Sequence, residues 1–277
     1  MRLGFLGPLG TFSEEAARFA ARGDVFVPLP TVLDTILAVT LGDVERAVVP
    51  IENSSEGPVG VTLDTLADRD DVTIVGELVV PVHHCLVAGG PLALEDVRDV
   101  RSHPQAIAQC ARFVRERLPE AEILETGSTA EAVMWVADAG DAGHAAIGTR
   151  RAAELYDARV LVEDIEDEPG NATRFVWIAP AGTAADSGAG GAKTSLAFWG
   201  YGDEAPGWLV RCLSEFAFRG VNLSKIESRP LRTRLGHYRF FVDCEGEIGA
   251  GPVAEAAEGL RAHCEEVRVL GSYPAAG

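Results

Sequence analysis

Along the first two thirds of the chain, short apolar runs alternate with longer segments in which apolar residues recur every three or four positions. The apolar run comes first in each pair: "RLGFLG" precedes "TFSEEAARFAAR", "RAVVPIEN" precedes "SSEGPVGVTLDTLAD", "DVRDVRS" precedes "HPQAIAQCARFVRERL", "EILETGS" precedes "TAEAVMWVAD", and "AAIGTR" precedes "RAAELY". Short runs are typical of buried strands, and the longer spacing is typical of helices. The alternation predicts an α/β domain with a largely parallel sheet.

Three of the predicted helices begin with a hydroxyl residue three positions before a glutamate or glutamine, which is the pattern of a capping box. These segments are residues 11–14, 102–105 and 128–131. Taken singly, each is explained as a helix start and nothing more. In a parallel sheet, however, such starts gather at the carboxyl ends of the strands, where ligands bind. Because helix N-termini attract anions, we expect an anionic ligand at this edge of the sheet.

The end of the chain follows another order. "KTSLAFWGY", "PGWLVRCLSEFAFRG", "VNLSKIESRP", "HYRFFVDCEG", "GPVAEAAEGLRAHCE" and "EVRVLGSY" predict strand, helix, strand, strand, helix and strand, the ferredoxin-like βαββαβ order. The preceding stretch "APAGTAADSGAGGAK" has the composition of a flexible linker. We therefore predict a first domain at residues 1–180, a linker at 181–192 and a second domain at 193–277. Small sheets of this type often pair edge to edge, so we expect a homodimer or homotetramer.

Length and composition agree with two globular domains. The chain has 277 residues, whereas a typical domain has about 150. Its apolar runs stop well short of the ~18 residues that a membrane-spanning helix needs. Glycine and proline interrupt the N-terminal apolar stretch and acidic residues follow it, so we expect no secretory leader and a cytoplasmic protein.

Charge and cysteine usage exclude several kinds of site. A formal net charge of -18 argues against a nucleic-acid partner, because phosphate backbones would be repelled. An anionic ligand would need a positive potential that is made locally. The five cysteines are odd in number and widely spaced, which predicts reduced structural thiols. His83, His84 and Cys85 are adjacent, but neighbours in a strand point to opposite faces, so we predict no metal site.

Several segments together resemble the prephenate dehydratase family. They are "GPLGTFSEEAA", "VPIENSSEGPVG", "SHPQAIAQC", "STAEAV", "AAIGTRRAAELY", "NATRF", "PGWLV" and "NLSKIESRP", and they cover essentially the whole chain. "NATRF" and "IESRP", in this order and at this separation, are the most specific. The resemblance implies a bilobal catalytic domain built like the type II periplasmic binding proteins. One lobe would hold about residues 1–76 and 172–180, the other about 80–165, and a C-terminal ACT domain would sense phenylalanine.

The resemblance also implies a reaction, the conversion of prephenate to phenylpyruvate with loss of CO2 and water. Aromatisation drives that reaction, so no cofactor is expected. Thr173 is the implied hydrogen-bond donor to the departing hydroxyl, Arg174 the implied ligand of a substrate carboxylate, and Phe175 the implied wall of the ring pocket. The plainer interpretation of this triplet is an ordinary strand start with a surface arginine.

By the same matching, a set of small polar side chains would contact the substrate. They are Thr11, Asn53, Ser54, Ser55, Ser102, Gln105, Ser128 and Thr129. Each could equally be a helix cap. Glu52 would orient a neighbour or bind water, and His84 is expected to be packed rather than catalytic.

In the second domain the resemblance implies a phenylalanine site between paired copies. Its implied residues are Gly207, Leu209, Asn222, Leu223, Glu227, Ser228, Arg229 and Pro230. Trp208 stands where the family usually has alanine, and an indole adds far more volume than a packed pocket accepts. Either Trp208 points away or the response to phenylalanine is altered. A packing domain that binds nothing is the alternative.

Three other functions fit parts of the pattern. An arogenate dehydratase acts on a substrate with an amino group in place of the side-chain keto oxygen. A prephenate decarboxylase would keep the hydroxyl, and the intact "TRF" argues against it. A non-catalytic amino-acid sensor is the alternative from another class, since bilobal and ACT domains both bind small molecules.

Overall fold

The computed structural model describes residues 1–19, 24–140, 142–188, 190–200, 202, 205–249 and 251–276. In chain order the elements are β1 (Arg2–Leu6), α1 (Phe12–Phe19), β2 (Val25–Leu29), α2 (Val32–Thr40), β3 (Arg46–Asn53), β4 (Gly57–Pro58), α3 (Gly60–Asp68), β5 (Val72–Pro81), β6 (Cys85–Ala88), β7 (Asp99–Ser102), α4 (Pro104–Gln109), α5 (Ala111–Arg117), β8 (Glu122–Glu125), α6 (Thr129–Ala139), β9 (His144–Gly148), α7 (Arg150–Leu155), β10 (Arg159–Val162), β11 (Ala172–Pro180), β12 (Ala192–Trp199), α8 (Trp208–Ala217), β13 (Leu223–Pro230), β14 (Tyr238–Glu245), α9 (Pro252–Arg261) and β15 (Glu266–Pro274). The predicted continuation of the first helix to residue 22, and the predicted strand end at residue 201, lie outside the described residues. Within the described part of the chain, no helix is long and apolar enough to cross a membrane.

The predicted strand–helix pairs are all present, but both sheets are mixed rather than largely parallel. The larger sheet has the strand order β13-β14-β12-β15-β5-β11-β3-β1-β2, with β4 paired to β3. In it β1 runs parallel to β2 and β3, whereas β11 is antiparallel to β3 and β5. The smaller sheet, β10-β6-β9-β7-β8, keeps β7 parallel to β8 and β9. The sequence indicated a strand at β11 but not its direction, because the chain re-enters the larger sheet antiparallel to β3 and β5.

The chain crosses between the two sheets twice. It leaves the larger sheet after β5 and enters the smaller one at β6, and it returns from β10 to β11. The crossings therefore lie at residues 82–84 and 163–171. Thr173 is the second residue of the strand that follows the return crossing, so the "NATRF" segment lies where the two sheets meet.

The C-terminal strands form the predicted ferredoxin-like arrangement, with the order β13-β14-β12-β15. Helices α8 and α9 cover one face of these strands with an apolar core that includes Leu196, Phe198, Cys212, Phe216 and Leu260. The strands also continue the larger sheet, because β15 pairs with β5 at Gly271 and Ile74. Sequence reasoning had no signal for this joint.

The larger sheet is strongly curved. Lys225 on β13 lies 2.9 Å from Glu52 on β3, although six strand-to-strand steps separate these strands. In a flat sheet, six steps of about 4.8 Å would place them roughly 29 Å apart. The curvature gives the sheet an interior face, on which side chains from the first lobe and from the C-terminal strands meet.

Strand β11 is buried on both faces, as its continuous apolar run predicts. Val176 and Ile178 pack with α2, α3 and the C-terminal strands. Phe175 and Trp177 pack with α1 on the opposite face. Because successive side chains of a strand alternate between its faces, Thr173 shares the face of Phe175, and Arg174 shares the face of Val176.

Candidate functional site

A cavity of about 420 Å³ lies between the two sheets. Its lining residues are Leu6, Gly7, Thr11, Phe12, Ser13, Pro30, Val32, Pro50, Asn53, Val59, Val82, His84, His103, Gln105, Ala106, Gln109, Gly127, Ser128, Thr129, Thr173 and Phe175. Beside the cavity, the part of the chain with the smaller sheet contacts the part with the larger sheet. There the Thr149 hydroxyl donates to the Gly10 carbonyl oxygen at 2.7 Å. Of the substrate contacts predicted from the sequence, Thr11, Asn53, Gln105, Ser128 and Thr129 line this cavity, together with Thr173 and Phe175.

Four helices of eight or more residues, α1, α2, α3 and α6, begin at the cavity. The Thr11 hydroxyl oxygen accepts from the Glu14 amide at 3.3 Å, and the Ser128 hydroxyl oxygen accepts from the Glu131 amide at 3.1 Å. These two predicted caps are confirmed. Helix starts present N–H groups and the positive end of the helix dipole, so the cavity has a local potential suited to anions.

The predicted cap at Ser102 is wrong. Helix α4 starts one residue later, and His103 is its N-cap, with a ring nitrogen that accepts from the Gln105 amide at 3.3 Å. Ser102 is the last residue of β7 and is fully buried, and its hydroxyl donates to the Ile147 carbonyl oxygen at 2.7 Å. Ser102 therefore stabilises the smaller sheet and does not line the cavity.

The Thr173 hydroxyl is oriented by Asn53. These residues are paired across β11 and β3, and the Asn53 side-chain Nδ2 donates to Thr173 Oγ1 at 2.9 Å. Because an amide N–H can only donate, this bond uses a lone pair of the hydroxyl and leaves its hydrogen available. Thr173 can then donate that hydrogen to a molecule in the cavity.

Asn53 is itself held by a chain of side-chain amides. Its Nδ2 also donates to Asn171 Oδ1 at 2.9 Å, and Asn171 Nδ2 donates to Gln109 Oε1 at 3.1 Å. The chain ends at His84, whose Nε2 lies 2.9 Å from the same Gln109 oxygen. Gln109 belongs to α4 of the smaller sheet's lobe and Asn53 to the larger sheet, so the chain joins both lobes to Thr173.

His84 lines the cavity and is 2 % exposed. Burial lowers its pKa below the ordinary value, and the hydrogen bond with Gln109 only partly opposes this. The neutral ring then carries its hydrogen on Nε2, because Gln109 Oε1 can only accept. His84 Nδ1 has no hydrogen-bond partner among the described residues. His84 is buried, as the sequence predicted. The sequence did not predict that it also lines the cavity.

Sequence reasoning did not single out Gln109 and Asn171. One signal was available for each: Gln109 follows Gln105 by four residues, the spacing that puts two side chains on one face of a helix, and Asn171 opens the "NATRF" segment. A direct pairing of Asn171 with Asn53 required the tertiary structure.

Ser54 and Ser55 do not line the cavity. The Ser54 hydroxyl donates to Asn171 Oδ1 at 3.1 Å, and the Ala172 amide donates to Ser54 Oγ at 3.0 Å. The Ser55 amide donates to Asn53 Oδ1 at 2.9 Å. Both serines therefore hold the loop after β3 in place, and Asn53 keeps its orientation as a result.

Arg174 points away from the cavity, to the interior face of the curved sheet. Its Nε donates to Glu77 Oε2 at 2.7 Å and its Nη1 to Asp243 Oδ2 at 2.6 Å. Its Nη2 donates to Tyr273 Oη at 3.1 Å, and Glu52 Oε2 lies 3.3 Å from Nη1. The alternation of faces along β11 explains this placement. The geometry does not bring Arg174 to the place where a substrate carboxylate would lie.

The surroundings of Arg174 favour its charged form. Burial alone would lower its pKa, but Asp243, Tyr273 and Glu77 outweigh burial and raise the pKa above its ordinary value. Within the described part of the chain, no lysine or arginine lines the cavity. Helix starts and polar hydrogens are therefore the groups of the cavity that can attract an anion.

The residues implied for effector binding fall into two groups in one chain. Gly207 and Leu209 line a separate cavity of about 250 Å³ with Trp208, Tyr238 and Phe240 among its walls, and none of the described residues 222–230 lines it. Asn222, Leu223, Glu227, Ser228, Arg229 and Pro230 lie on or next to β13, an edge strand.

Trp208 is turned into the core of the C-terminal strands. It is nearly fully buried beside Phe198 and Phe240, and its indole N–H donates to the His263 carbonyl oxygen at 2.7 Å. The indole therefore fills a core position of α8, and it forms part of the wall of the smaller cavity from that side.

All five cysteines are free and buried, as their spacing predicted. Burial raises the pKa of the Cys85 thiol to about 11. Cys212 and Cys264 lie closest to each other, with 3.7 Å between their sulfur atoms. A protonated thiol is a poor nucleophile, so Cys85 is a structural residue.

Known proteins resemble this chain along most of its length. The family model for prephenate dehydratase matches residues 3–183. A prephenate dehydratase of Amycolatopsis methanolica is 37% identical over 273 residues, which are 98% of this chain and 88% of that protein.

Two solved structures cover nearly the whole chain. The prephenate dehydratase of Arthrobacter aurescens in complex with L-Phe is 37% identical, with a TM-score of 0.89 over 99% of this chain and 90% of that one. GqqA, described as a novel type of quorum quenching acylase, is 32% identical, with a TM-score of 0.88 over 100% of this chain and 98% of that one. On the family match and the identity along its length, the chain belongs to the prephenate dehydratase family.

Proposed function

We propose that this protein converts prephenate to phenylpyruvate by decarboxylative dehydration. The observation that carries the proposal is the hydrogen bond from Asn53 Nδ2 to Thr173 Oγ1 at 2.9 Å, on the wall of the cavity between the lobes. It leaves the Thr173 hydrogen free for the oxygen that departs from the substrate ring.

The chemistry asks for positioning and hydrogen bonding. The bond between the ring and its carboxylate breaks to release CO2, and the bonding electrons move through the cyclohexadiene and expel the hydroxyl on the opposite carbon. A proton from solvent converts the departing hydroxide to water. Thr173 donates a hydrogen bond that strengthens as charge develops on that oxygen, which is the form of stabilisation that lowers a barrier most.

The two carboxylates of prephenate would be held at the helix starts. The first turns of α1, α2, α3 and α6 face the cavity, and helix N-termini bind anions without a basic side chain. The cavity volume of about 420 Å³ suits a small cyclic molecule. Phe175, which is buried and lines the cavity, would form part of the wall around the ring.

The domain plan that supports this function is a bilobal catalytic domain of the type II periplasmic-binding-protein kind at residues 1–180. One lobe holds about 1–81 and 172–180, because β5 remains in the larger sheet to Pro81 and does not end near residue 76 as the sequence predicted, and the other lobe holds about 82–165. A linker at 181–192 and an ACT domain at 193–277 follow. Two strand crossings between the sheets and the βαββαβ order of the C-terminal strands support this plan. The five free thiols suit a reducing compartment such as the cytoplasm.

The ACT domain is proposed to bind L-phenylalanine between two copies of the chain. In one chain the group around Gly207 and Leu209 is apart from the group on β13. A second copy paired along the β13 edge would bring the two groups together. The relative from Arthrobacter aurescens was solved with L-Phe. The proposed assembly is a homodimer or a homotetramer.

The likeness to an acylase structure makes amide hydrolysis a second activity to test. Hydrolysis through a nucleophilic hydroxyl needs a base that accepts its proton. The side-chain partner of Thr173 Oγ1 in the described structure is the donor amide of Asn53, which cannot take a proton. This geometry favours the dehydratase.

The test uses the purified full-length protein, with chelator present and no added cofactor. Prephenate, arogenate and an N-acyl amide are supplied separately, and the products are identified by mass. We expect phenylpyruvate from prephenate, with a higher kcat/KM than for arogenate. Retention of the ring hydroxyl after loss of CO2 would indicate a decarboxylase. No turnover of any substrate, combined with tight binding of an amino acid, would indicate a sensor.

A further inference from the structure

Arg174 connects the strand that carries Thr173 to strands beyond the linker. Its guanidinium group donates one hydrogen bond to Asp243 on β14 at 2.6 Å and another to Tyr273 on β15 at 3.1 Å. Both partners are almost completely buried, with 5 % and 2 % of their surfaces exposed. Charge-assisted bonds to a guanidinium in such surroundings have a fixed geometry, so the contact is a joint between two parts of the chain.

Arg174 belongs to a closed ring of hydrogen bonds with Tyr273, Ser195 and Asp243. The Ser195 hydroxyl donates to Asp243 Oδ1 at 2.5 Å, so the 2.6 Å contact between Ser195 Oγ and Tyr273 Oη has Tyr273 as its donor. Tyr273 Oη in turn accepts from Arg174 Nη2, and Asp243 Oδ2 accepts from Arg174 Nη1. Every hydroxyl in the ring both donates and accepts. Removing one member leaves a buried polar group without its partner.

Two neighbouring residue pairs on β11 and β3 lie between the cavity and the C-terminal strands. Thr173 pairs with Asn53, and the next pair, Arg174 with Glu52, faces the opposite side of the sheet. Glu52 is contacted there by Lys225 of β13 at 2.9 Å. Each of the two cavity residues is therefore one peptide unit from a residue held by the C-terminal strands.

We propose that Arg174 is a positioning residue, and that the C-terminal strands set the place of the Thr173 hydroxyl through it. The proposal rests on the proposed function, in which Thr173 donates to the departing oxygen. A ligand that shifts β13 or β14 would move Arg174 and Glu52, and it would change the rate of the chemical step more than the binding of substrate. The regulatory part of the chain is then also a part of the catalytic apparatus.

The kinetic test compares Asp243→Asn and Tyr273→Phe with a matched control. Asp68→Asn removes the charge from another contact between the first lobe and the C-terminal strands, the 2.6 Å ion pair with Arg239, without touching β11. We expect the first two variants to lower kcat about tenfold with KM within about twofold, the scale of a small misplacement of a catalytic group. Asp68→Asn is expected to keep the parental values.

A second background separates positioning from general loss of structure. If Asp243 acts through Thr173, then Asp243→Asn will change the residual activity of a Thr173→Ala protein by less than about twofold. Equal losses in both backgrounds, or no loss in the native background, would overturn the proposal. Thermal unfolding and circular dichroism identify a variant that has failed to fold, in which case Tyr273→Phe carries the comparison.

A spectroscopic readout makes the result independent of turnover. In protein labelled at threonine methyl groups, we expect the Thr173 resonance to shift in Asp243→Asn and in Tyr273→Phe, and to stay in place in Asp68→Asn. An unmoved Thr173 resonance in the first two variants would rule out the coupling even if the protein has no dehydratase activity. A shifted resonance with no turnover of prephenate by the parent would instead refute the proposed function alone.

Discussion

Asn53 donates a hydrogen bond to the hydroxyl oxygen of Thr173 across 2.9 Å, although the two residues are 120 positions apart in the chain. The bond joins neighbouring strands at the mouth of the interlobe cavity. It determines which way the Thr173 hydrogen can point, and that direction decides whether a threonine can assist a departing hydroxide.

Replacing Thr173 removes the donor itself. We expect Thr173→Ala to lower kcat for prephenate by at least about 10²-fold, the scale of a lost transition-state hydrogen bond, whereas Thr173→Ser keeps most of the activity. The measurement is the formation of phenylpyruvate. Thr183→Ala is the control, because that hydroxyl donates to the Pro180 carbonyl oxygen outside the cavity. A Thr173→Ala protein within a few fold of the parent would remove Thr173 from the mechanism.

An Asn53→Asp substitution reverses the hydrogen bond. The carboxylate keeps an acceptor for the Ser55 and Glu56 amides, so these two hydrogen bonds of the loop remain, whereas the donor to Asn171 Oδ1 is lost. Its second oxygen would accept from the Thr173 hydroxyl and turn the hydrogen away from the cavity. We expect a loss in kcat of about 10²-fold, and a smaller loss in Asn53→Ala, which adds no acceptor for the Thr173 hydroxyl although it also removes the acceptor of the two loop amides. Equal rates in the two variants would contradict this argument.

His84 makes folding stability depend on pH. Because burial lowers its pKa below 6.5 in the folded protein, the unfolded chain binds more protons as the pH falls. The stability from neutral His84 is fully present above pH 6.5 and is lost as the pH falls through that value toward the folded pKa. The His84→Gln variant lacks this titrating imidazole and keeps every other titratable group of the parent protein.

The measurement for His84 is the free energy of unfolding in urea. We expect the difference between the parent and His84→Gln to shrink between about pH 7.5 and about pH 5.5. A difference that stays constant over this range would show that His84 has the same pKa in both states.

Gly271 is required where β15 meets β5. A Cβ atom there would clash with the Ile74 carbonyl oxygen, so Gly271→Ala must push the strands apart. We expect a loss of about 1–3 kcal/mol in the free energy of unfolding, as for other overpacked sites, with the midpoint of thermal unfolding lowered. Gly191→Ala is the control, since an added Cβ there meets no atom within 4 Å. Equal midpoints for both variants would mean that this joint contributes nothing to stability.

Local patterns in the sequence predicted the helix starts at Thr11 and Ser128 correctly, because a capping box satisfies donors only three residues away. Ser102 has the same local pattern, and there the prediction was wrong. Its side chain lies at the end of a buried strand, and the nearby Ile147 carbonyl oxygen took its hydrogen bond. A cap and a strand end compete for one hydroxyl, and the packing of the smaller sheet decided the outcome.

The sequence by itself determined five strand–helix pairs, the βαββαβ pattern at the end and the membership of "NATRF" in a strand, because these features depend on periodicity and short-range chemistry. It did not predict β2, α2, β5 or β10. Only the tertiary structure decided the direction of β11 and the curvature of the larger sheet. It also decided that Thr173 lines the cavity whereas Arg174 points to the opposite face of the sheet. Their physical reason is that a side chain's partners depend on which face of a strand meets which distant segment. Arg174 reaches Asp243 on β14, four strand-to-strand steps away, because the sheet curves back on itself.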